Sequence, residues 1–327
     1  MVKPWLLLPA SLSHKIAPLY LKYCVGEGPF PEYDWNAFEW KGLQFKNPLG
    51  IAGGVDKDAE NIFNWWTLGA GFVEVGTITP LSQSGNPGKV IDRDVKNKAL
   101  WNRMGFPSKG VDYVSNKLSK IPKPHHTPIF VNIGKNRSTP LEHAHEDYIS
   151  CIKKLSPYSD AFVVNISSPN TPKLRELLTP THLREFLGKV VEANDQHEGK
   201  PLILKISPDV KRPDLENIID VSIELNLSGW ILNNTSTIRP NNIHFPADGG
   251  MSGKPIGELS KDTLIHVLNY LGDKRTGKLI ISTGGIMSPE DAIERLNLGA
   301  DLVQVYSSLI FNGLSFFKDV NQYAKSK

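Results

Sequence analysis

The chain of 327 residues contains only two cysteines, Cys24 and Cys151, with no paired spacing. That argues against a disulfide framework and a cysteine-built zinc site, and it fits a reducing compartment. Cys151 falls in a helical pattern and reads as a small core residue. No apolar run approaches the ~20 residues of a membrane-spanning helix. Neither sign of charge dominates: Lys+Arg 37 against Asp+Glu 34 leaves a net +3, too little to argue for a nucleic-acid partner. Walker and GxGxxG sequences are absent, which removes support for the classical nucleotide and dinucleotide sites. The first apolar stretch is short and lacks a small-residue cleavage site, so no secretory signal is expected. The sequons at Asn136, Asn165, Asn226 and Asn234 therefore carry no weight. With 40% hydrophobic residues, the balance is that of a soluble chain able to form one large domain.

What is present is a repeated theme. From residue 47, a short apolar run ends in glycine or a polar residue and an amphipathic segment follows. The runs are Leu49–Ala52, Phe72–Val75, Ile129–Ile133, Ala161–Asn165, Leu202–Ile206, Trp230–Leu232, Leu279–Ser282 and Leu302–Val305. Helical patterns lie between most of them, at Ala59–Leu68, Leu141–Leu155, Thr181–Asn194, Leu215–Leu225, Lys261–Leu271 and Pro289–Leu298, the last with Ser288 as its cap. Strands alternating with helices predict a parallel sheet. Eight of them predict an α/β fold closed as a (β/α)8 TIM barrel with an N-terminal helical extension. The connections from Thr77 to about Pro128 and from Thr235 to about Leu259 are too long for plain barrel loops. Both leave strand ends, the face where barrels keep their active sites.

The first 46 residues differ. Trp5–Leu8 is followed by Pro9 and a segment with Leu12, Ile16, Leu19, Tyr20 and Tyr23 on one helical face, His14, Lys15 and Lys22 falling on the other. Pro18 predicts two short helices rather than one. The segment reads either as an arm packed on the barrel or as an interfacial element on a membrane.

The strand ends carry the chemistry. The densest is Asn165-Ile-Ser-Ser-Pro-Asn-Thr-Pro172, where polar groups follow a buried strand; buried amides without partners each cost about 1–3 kcal/mol. Ser167–Asn170 alone is also explained as a turn. The other ends supply Gly53-Gly54-Val55-Asp56-Lys57, Gly76-Thr77, Asn132, Lys205, Asn233-Asn234-Thr235, Thr283-Gly284-Gly285 and Tyr306-Ser307-Ser308. Strand-end histidines are lacking and acids are scarce, so no metal is expected and glycosidase chemistry is disfavoured. His143 and His145, two apart on a helix, do not share a face. Gly284-Gly285 with the hydroxyls after the last strand suits a phosphate. A phosphate-anchored cofactor among amides, with a lysine such as Lys205 nearby, fits a flavin. The alternative reading of Lys205 is as the partner of a neighbouring acid.

The sequences Asn47–Lys57, Asn102-Arg-Met-Gly-Phe106, Asn132-Ile-Gly-Lys-Asn136, Asn165–Pro172 and Tyr306-Ser307 resemble those of the dihydroorotate dehydrogenases, over about residues 43 to 312. Ser168 in the base position and the helical N-terminus resemble class 2, the quinone-dependent, membrane-associated members. The resemblance implies oxidation of (S)-dihydroorotate to orotate in pyrimidine synthesis, with bound FMN as hydride acceptor and a membrane quinone, ubiquinone or menaquinone, as final acceptor. Ser168 would take the substrate's C5 proton. Lys57, Asn102, Arg103, Met104, Gly105, Phe106, Asn165, Asn170, Asn234 and Thr235 would hold the substrate. Gly53, Gly54, Val55, Asp56, Lys57, Thr77, Asn132, Asn165, Lys205, Asn233, Gly253, Gly285, Tyr306 and Ser307 would hold FMN. His14 and Arg93 would line a quinone tunnel. Residues 1–42 would form the quinone and membrane contact, and 43–327 the FMN-binding barrel. The chain would sit peripherally on the cytoplasmic face of the inner membrane. One departure lies at Gly85–Arg93, where Asp92 stands in place of an expected aromatic. The competing readings are a soluble class 1-type flavin dehydrogenase using fumarate or NAD, a dihydrouridine-synthase-like protein, and a non-redox phosphate-binding barrel. The second would want a catalytic cysteine and a strong basic face, whereas neither Cys24 nor Cys151 lies in the active loop and the net charge is near neutral.

Overall fold

The computed structural model describes residues 3–31 and 33–326. Met1, Val2, Glu32 and Lys327, which the expected segments 1–42 and 43–327 include, lie outside the described residues. Along the chain run α1 (Ala10–Tyr20), β1 (Phe38–Trp40), β2 (Leu43–Phe45), β3 (Leu49–Asp56), α2 (Ile62–Thr67), β4 (Phe72–Ile78), β5 (Ile91–Asp94), β6 (Ala99–Asn102), α3 (Val111–Leu118) and β7 (Ile129–Ile133). There follow α4 (Ala144–Leu155), β8 (Ala161–Asn165), α5 (Pro180–Asp195), β9 (Leu202–Ile206), α6 (Arg212–Glu224), β10 (Gly229–Leu232) and β11 (Gly250–Gly253). The chain ends with α7 (Gly257–Leu271), β12 (Leu279–Thr283), α8 (Pro289–Asn297), β13 (Leu302–Val305), α9 (Ser307–Phe311) and α10 (Phe316–Lys325).

Strands β3, β4, β7, β8, β9, β10, β12 and β13 pair in that order, all parallel, and β13 returns to β3. This is the (β/α)8 barrel the alternation predicts. Its interior follows from the period of two along a strand. One inner layer is apolar, with Phe72, Phe130, Val163, Ile203, Ile231, Ile281 and Leu302 buried together. Two residues further along the same strands stand Glu74, Asn132, Asn165, Lys205, Asn233, Thr283 and Gln304, all buried. The barrel therefore changes from oily to polar within one step of the pleat.

The β1–β2 hairpin belongs to the oily end. Phe45 is fully buried, with its ring 6.1 Å from Phe72 and 6.2 Å from Phe130, and Phe38 stacks on it at 4.8 Å. Trp40 Nε1 donates to Gly277 O just before β12. The hairpin thus seals the end where the strands begin.

The two long connections are not loops throughout. They meet in a three-stranded antiparallel sheet ordered β11-β6-β5, in which Gly250 pairs with Asn102 and Ile91 also pairs with Asn102. Helix α8 starts as its sequence requires, with a capping box between Ser288 and Asp291. Pro18 does not divide the N-terminal segment in two: α1 runs through it. A π-type turn, Leu21–Val25, follows directly. Leu21 N–H donates to both Ala17 O and Pro18 O, which closes the last turn of α1; Pro18 removes a single N–H, the one that would reach His14 O, and the helix continues past it. Helix α2 begins at Ile62, not at the expected Ala59, because the Asp56 carboxylate accepts Glu60 N–H and Asn61 N–H and holds 56–61 as a turn.

Phe45→Ala leaves a void at the centre of the aromatic plug. The expected loss is about 3–5 kcal/mol in denaturant unfolding of the intact protein. A loss below about 1 kcal/mol contradicts the sealing role of the hairpin.

Candidate active site

The polar layer is organised by one carboxylate. Glu74 Oε1 accepts from Lys205 Nζ at 2.9 Å and from Asn132 Nδ2 at 2.5 Å, and Oε2 accepts from Gln304 Nε2 at 2.6 Å. The side chains of Glu74 and Lys205 are 0% and 6% exposed, so the ion pair is taken fully out of water. The reading of Lys205 as the partner of an acid is therefore correct, and that acid was not among the sequence candidates. Asn132 passes the order upward, its Oδ1 accepting from Asn165 Nδ2 at 3.2 Å, while Asn165 Nδ2 also donates to Thr77 Oγ1 at 3.0 Å.

Above this floor lies a cavity at the strand ends. It is lined by Gly53, Gly54, Lys57, Thr77, Asn102, Met104, Gly105, Phe106, Asn165, Ser168, Asn170, Lys205, Asn233, Asn234, Thr235, Gly253, Gly285, Tyr306 and Ser307, all sequence candidates. Thr283 and Gly284, read from the sequence as strand-end and phosphate-cradle residues, also line it, as do Ser252 and Gln304, which were not sequence candidates. Asn132 sits just beneath the lining. Val55 and Asp56 face a second cavity instead. Arg103 is not among the lining residues; its guanidinium turns to Pro87 O at 2.8 Å and to the Asp248 carboxylate at 3.3 Å. It follows directly after β6, the central strand of the three-stranded sheet, and its side chain turns away from the cavity to these partners.

Ser168 is buried, and its Oγ accepts the Asn170 N–H at 3.2 Å. Asn170 Nδ2 donates to Asn102 Oδ1 at 2.9 Å, and Asn234 Nδ2 to Ser167 Oγ at 3.0 Å. Several buried acceptors have no protein partner: Asn170 Oδ1, Asn233 Oδ1, Thr235 Oγ1 and Gln304 Oε1, each on a residue that lines the cavity. Such atoms are rarely left unpaired, so the cavity is built for a polar guest. The glycines are forced by close packing. A Cβ on Gly53 would stand 2.3 Å from Glu74 Oε1, and one on Gly285, at φ +73, would stand 2.2 Å from Gly257 Cα. Backbone thus forms the wall where a phosphate and a flat ring system need close approach. The donor set and the cradle both fit a phosphate-bearing flavin.

The second cavity, of ≈ 460 Å³, opens between the N-terminal arm and the barrel mouth. Among the described residues, only Gly54, Lys57 and Tyr306 border both cavities. Lys57 Nζ donates to Gly54 O at 3.0 Å and lies 3.3 Å from His14 Nε2. Burial lowers the Lys57 ammonium to about 8 against the upward pull of Asp58 and Asp56. Burial, then the Lys57 charge, lowers His14 to about 4, so its imidazole is neutral near pH 7 and can accept from the lysine. The Tyr306 phenol is pushed up to about 12 by burial. Arg93 reaches across to Trp5 O at 2.8 Å, to Leu8 O and to Ser13 Oγ at 3.3 Å, which fastens the arm. Asp92, where an aromatic was expected, pairs at the surface with Lys89 at 2.6 Å. His143, as expected for a solvated residue, meets only Glu146 at an exposed position.

The family model described as dihydroorotate dehydrogenase matches residues 37–327. The chain belongs to the dihydroorotate dehydrogenase family. A dihydroorotate dehydrogenase (quinone) from Thermus thermophilus is 41% identical over 283 residues, 84% of this chain and 78% of that one. A dihydroorotate dehydrogenase (quinone) from Coxiella burnetii is 37% identical over 338 residues, 98% of this chain and 95% of that one. Among solved structures, a DHODH from Eimeria tenella in complex with ferulenol superposes with a TM-score of 0.86 at 33% identity, covering 95% of this chain and 89% of that one. Within the dihydroorotate dehydrogenases the relatives are the quinone-dependent, class 2 members, and the family is flavin-dependent. Among the described residues, no cluster of His, Cys, Asp and Glu could hold a metal.

Glu74→Gln keeps the shape and removes the charge opposite Lys205. The expected destabilisation is about 3 kcal/mol, and adding Lys205→Met should recover at least half of it, because the pair is then replaced rather than broken. Equal losses in the single and double variants, read from denaturant midpoints, contradict an ion pair at the core of the site.

Proposed function

We infer that this chain oxidises (S)-dihydroorotate to orotate, with a quinone as final electron acceptor, in the de novo synthesis of pyrimidines. The observation that carries the reading is the convergence of Ser168 with Asn102, Asn165, Asn170, Asn234 and Thr235 on one cavity. Dihydroorotate is a cyclic, imide-like ring bearing a carboxylate. Side-chain amides pair both its N–H and its C=O edges, and the Lys57 ammonium offsets its charge. Met104, Gly105 and Phe106 close the same wall.

The flavin is proposed to be FMN, held by Gly53, Gly54, Lys57, Thr77, Asn132, Asn165, Lys205, Asn233, Gly253, Gly285, Tyr306 and Ser307. When bound, FMN supplies the acceptor for the hydride from C6 and the route of the electron pair to the quinone. The work of this chain's own residues is orientation and proton transfer. Ser168 takes the C5 proton. A serine is a weak base at its ordinary pKa and needs an acceptor behind it and positive charge nearby. Thr171 Oγ1, buried and without a protein partner, stands three residues on as a relay, and Lys57 supplies the charge.

The quinone would enter through the second cavity, between His14 and the barrel mouth. Arg93 borders it, with its guanidinium engaged by the arm. Residues 1–42 would serve quinone and membrane contact, and 43–327 the FMN barrel. What supports membrane contact is the exposed apolar surface of the arm: Leu7 and Tyr23 are 78% and 74% exposed and Leu12 and Leu19 are exposed with them, while Ile16 and Tyr20, also exposed, border the second cavity. No helix among the described residues is long and apolar enough to cross a membrane. The contact would therefore be peripheral, on the cytoplasmic face of the inner membrane, with ubiquinone or menaquinone as acceptor. The soluble reading with fumarate or NAD is disfavoured, since the relatives carry the quinone-dependent name.

Ser168→Ala should slow flavin reduction by dihydroorotate by orders of magnitude while FMN remains bound. Stopped-flow absorbance measures the first and the flavin-to-protein ratio the second. Near-normal reduction in this variant removes Ser168 from the role of base.

A further inference from the structure

The loop that carries Ser168 is tied to its neighbours by a pair of residues that lie outside the cavity lining. Arg175, in the tight turn Leu174–Leu178, bonds in three directions: Nε donates to Ser167 O at 3.0 Å, Nη2 to Thr235 O at 3.3 Å and Nη1 to Asp209 Oδ2 at 2.9 Å. Asp209 lies just beyond β9. Its Oδ1 accepts from Ser236 Oγ at 2.5 Å, and its Oδ2 from Thr237 N–H at 2.8 Å and Thr237 Oγ1 at 2.9 Å. One guanidinium and one carboxylate thereby join the loops that follow β8, β9 and β10. The side chains are 26% and 12% exposed. Burial acts to raise the Asp209 carboxyl, but the donors from Ser236, Thr237 and Arg175 outweigh it and hold the group below its ordinary range, so it stays ionised.

The targets of these bonds are specific. Ser167 immediately precedes Ser168, and Thr235 itself lines the cavity. Nothing else in the hydrogen bonds of the described residues joins these two backbone carbonyls through one group. Misplacing a reacting group by about 1 Å can lower a rate by ~10²-fold.

We propose that the Arg175–Asp209 pair is a positioning clamp for the dehydrogenation step, setting Ser168 against the Asn234–Thr235 side of the substrate site. The proposal rests on the reading of Ser168 as base. Neither residue touches substrate; both act through the loops they join.

The test uses the full-length, FMN-loaded enzyme carrying Asp209→Asn, in both the Ser168 and the Ser168→Ala backgrounds. Flavin reduction by dihydroorotate and, after photoreduction, flavin reoxidation by a soluble ubiquinone analogue are followed separately by stopped flow. With Ser168 present, reduction should fall about 10- to 100-fold and reoxidation should stay within about twofold. In the Ser168→Ala background the same change should remove less than about threefold, because the clamp acts through the serine. A similar loss in both backgrounds, a loss under about threefold with Ser168 present, or an equal loss in reoxidation overturns the clamp. Near-normal reduction in Ser168→Ala alone overturns the base assignment and the clamp with it. Should Asp209→Asn not fold, Arg175→Lys carries the same test, since a lysine keeps the charge opposite Asp209 but cannot span the three acceptors.

Discussion

Glu74 carries a negative charge into the centre of the barrel, and much of the site is arranged to balance it. Withdrawing a carboxylate from water costs several kcal/mol even after relaxation, which only close partners repay. Here the partners are Lys205, Asn132 and Gln304, from β9, β7 and β13. Each is thereby held in one orientation, and the amide of Asn165 is held in turn through Asn132. Gly53 has no side chain because the Glu74 carboxylate occupies the space a Cβ would take. The floor of the cavity is thus a hydrogen-bonded polar plate, set by the same alternation that places an aromatic plug two residues below.

That plate separates stability from chemistry. Beneath it, Phe45 and the barrel phenylalanines exclude water and seal the closed end. Above it, amides with unsatisfied oxygens face a cavity that a ring of alternating donors and acceptors can complete. The mouth is divided again by a thin wall of Gly54, Lys57 and Tyr306, with a polar cavity on one side and a largely apolar one under the N-terminal arm on the other. An electron carrier lying against such a wall can be reached from both sides. This geometry suits a reaction in which a polar ring is oxidised and a hydrophobic acceptor reduced without the two ever meeting. Lys57, bonded to His14 of the arm, ties the arm to the wall between the two cavities.

Much of this was legible in the sequence, for definite physical reasons. The barrel strands are short apolar runs between turn residues, so all eight could be located, four of them to the residue. Ser288 with Pro289 marked the start of α8 because capping is a local interaction. The site asparagines stood out because amides at the end of a buried strand need a partner. Glu74 and Gln304 escaped because they lie inside strands, between Val73 and Val75 and between Val303 and Val305, where only the inward alternation of the closed barrel reveals them. The β5-β6-β11 sheet joins segments about 150 residues apart, a pairing no local pattern encodes. The links from Arg175 to Asp209 and from Arg93 to the arm are likewise contacts between distant segments. Pro18 misled because a proline removes only one backbone donor, and α1 continues through it.

The central claim is that one cavity holds a flavin and a dihydroorotate side by side, while the second gives a quinone access. Anaerobic mixing of the purified, flavin-loaded protein with dihydroorotate tests it most directly. The flavin absorbance should bleach within the dead time or soon after, then return on addition of a ubiquinone or menaquinone analogue and not on addition of fumarate or NAD. A flavin that dihydroorotate leaves oxidised, or one that quinones leave reduced, contradicts it.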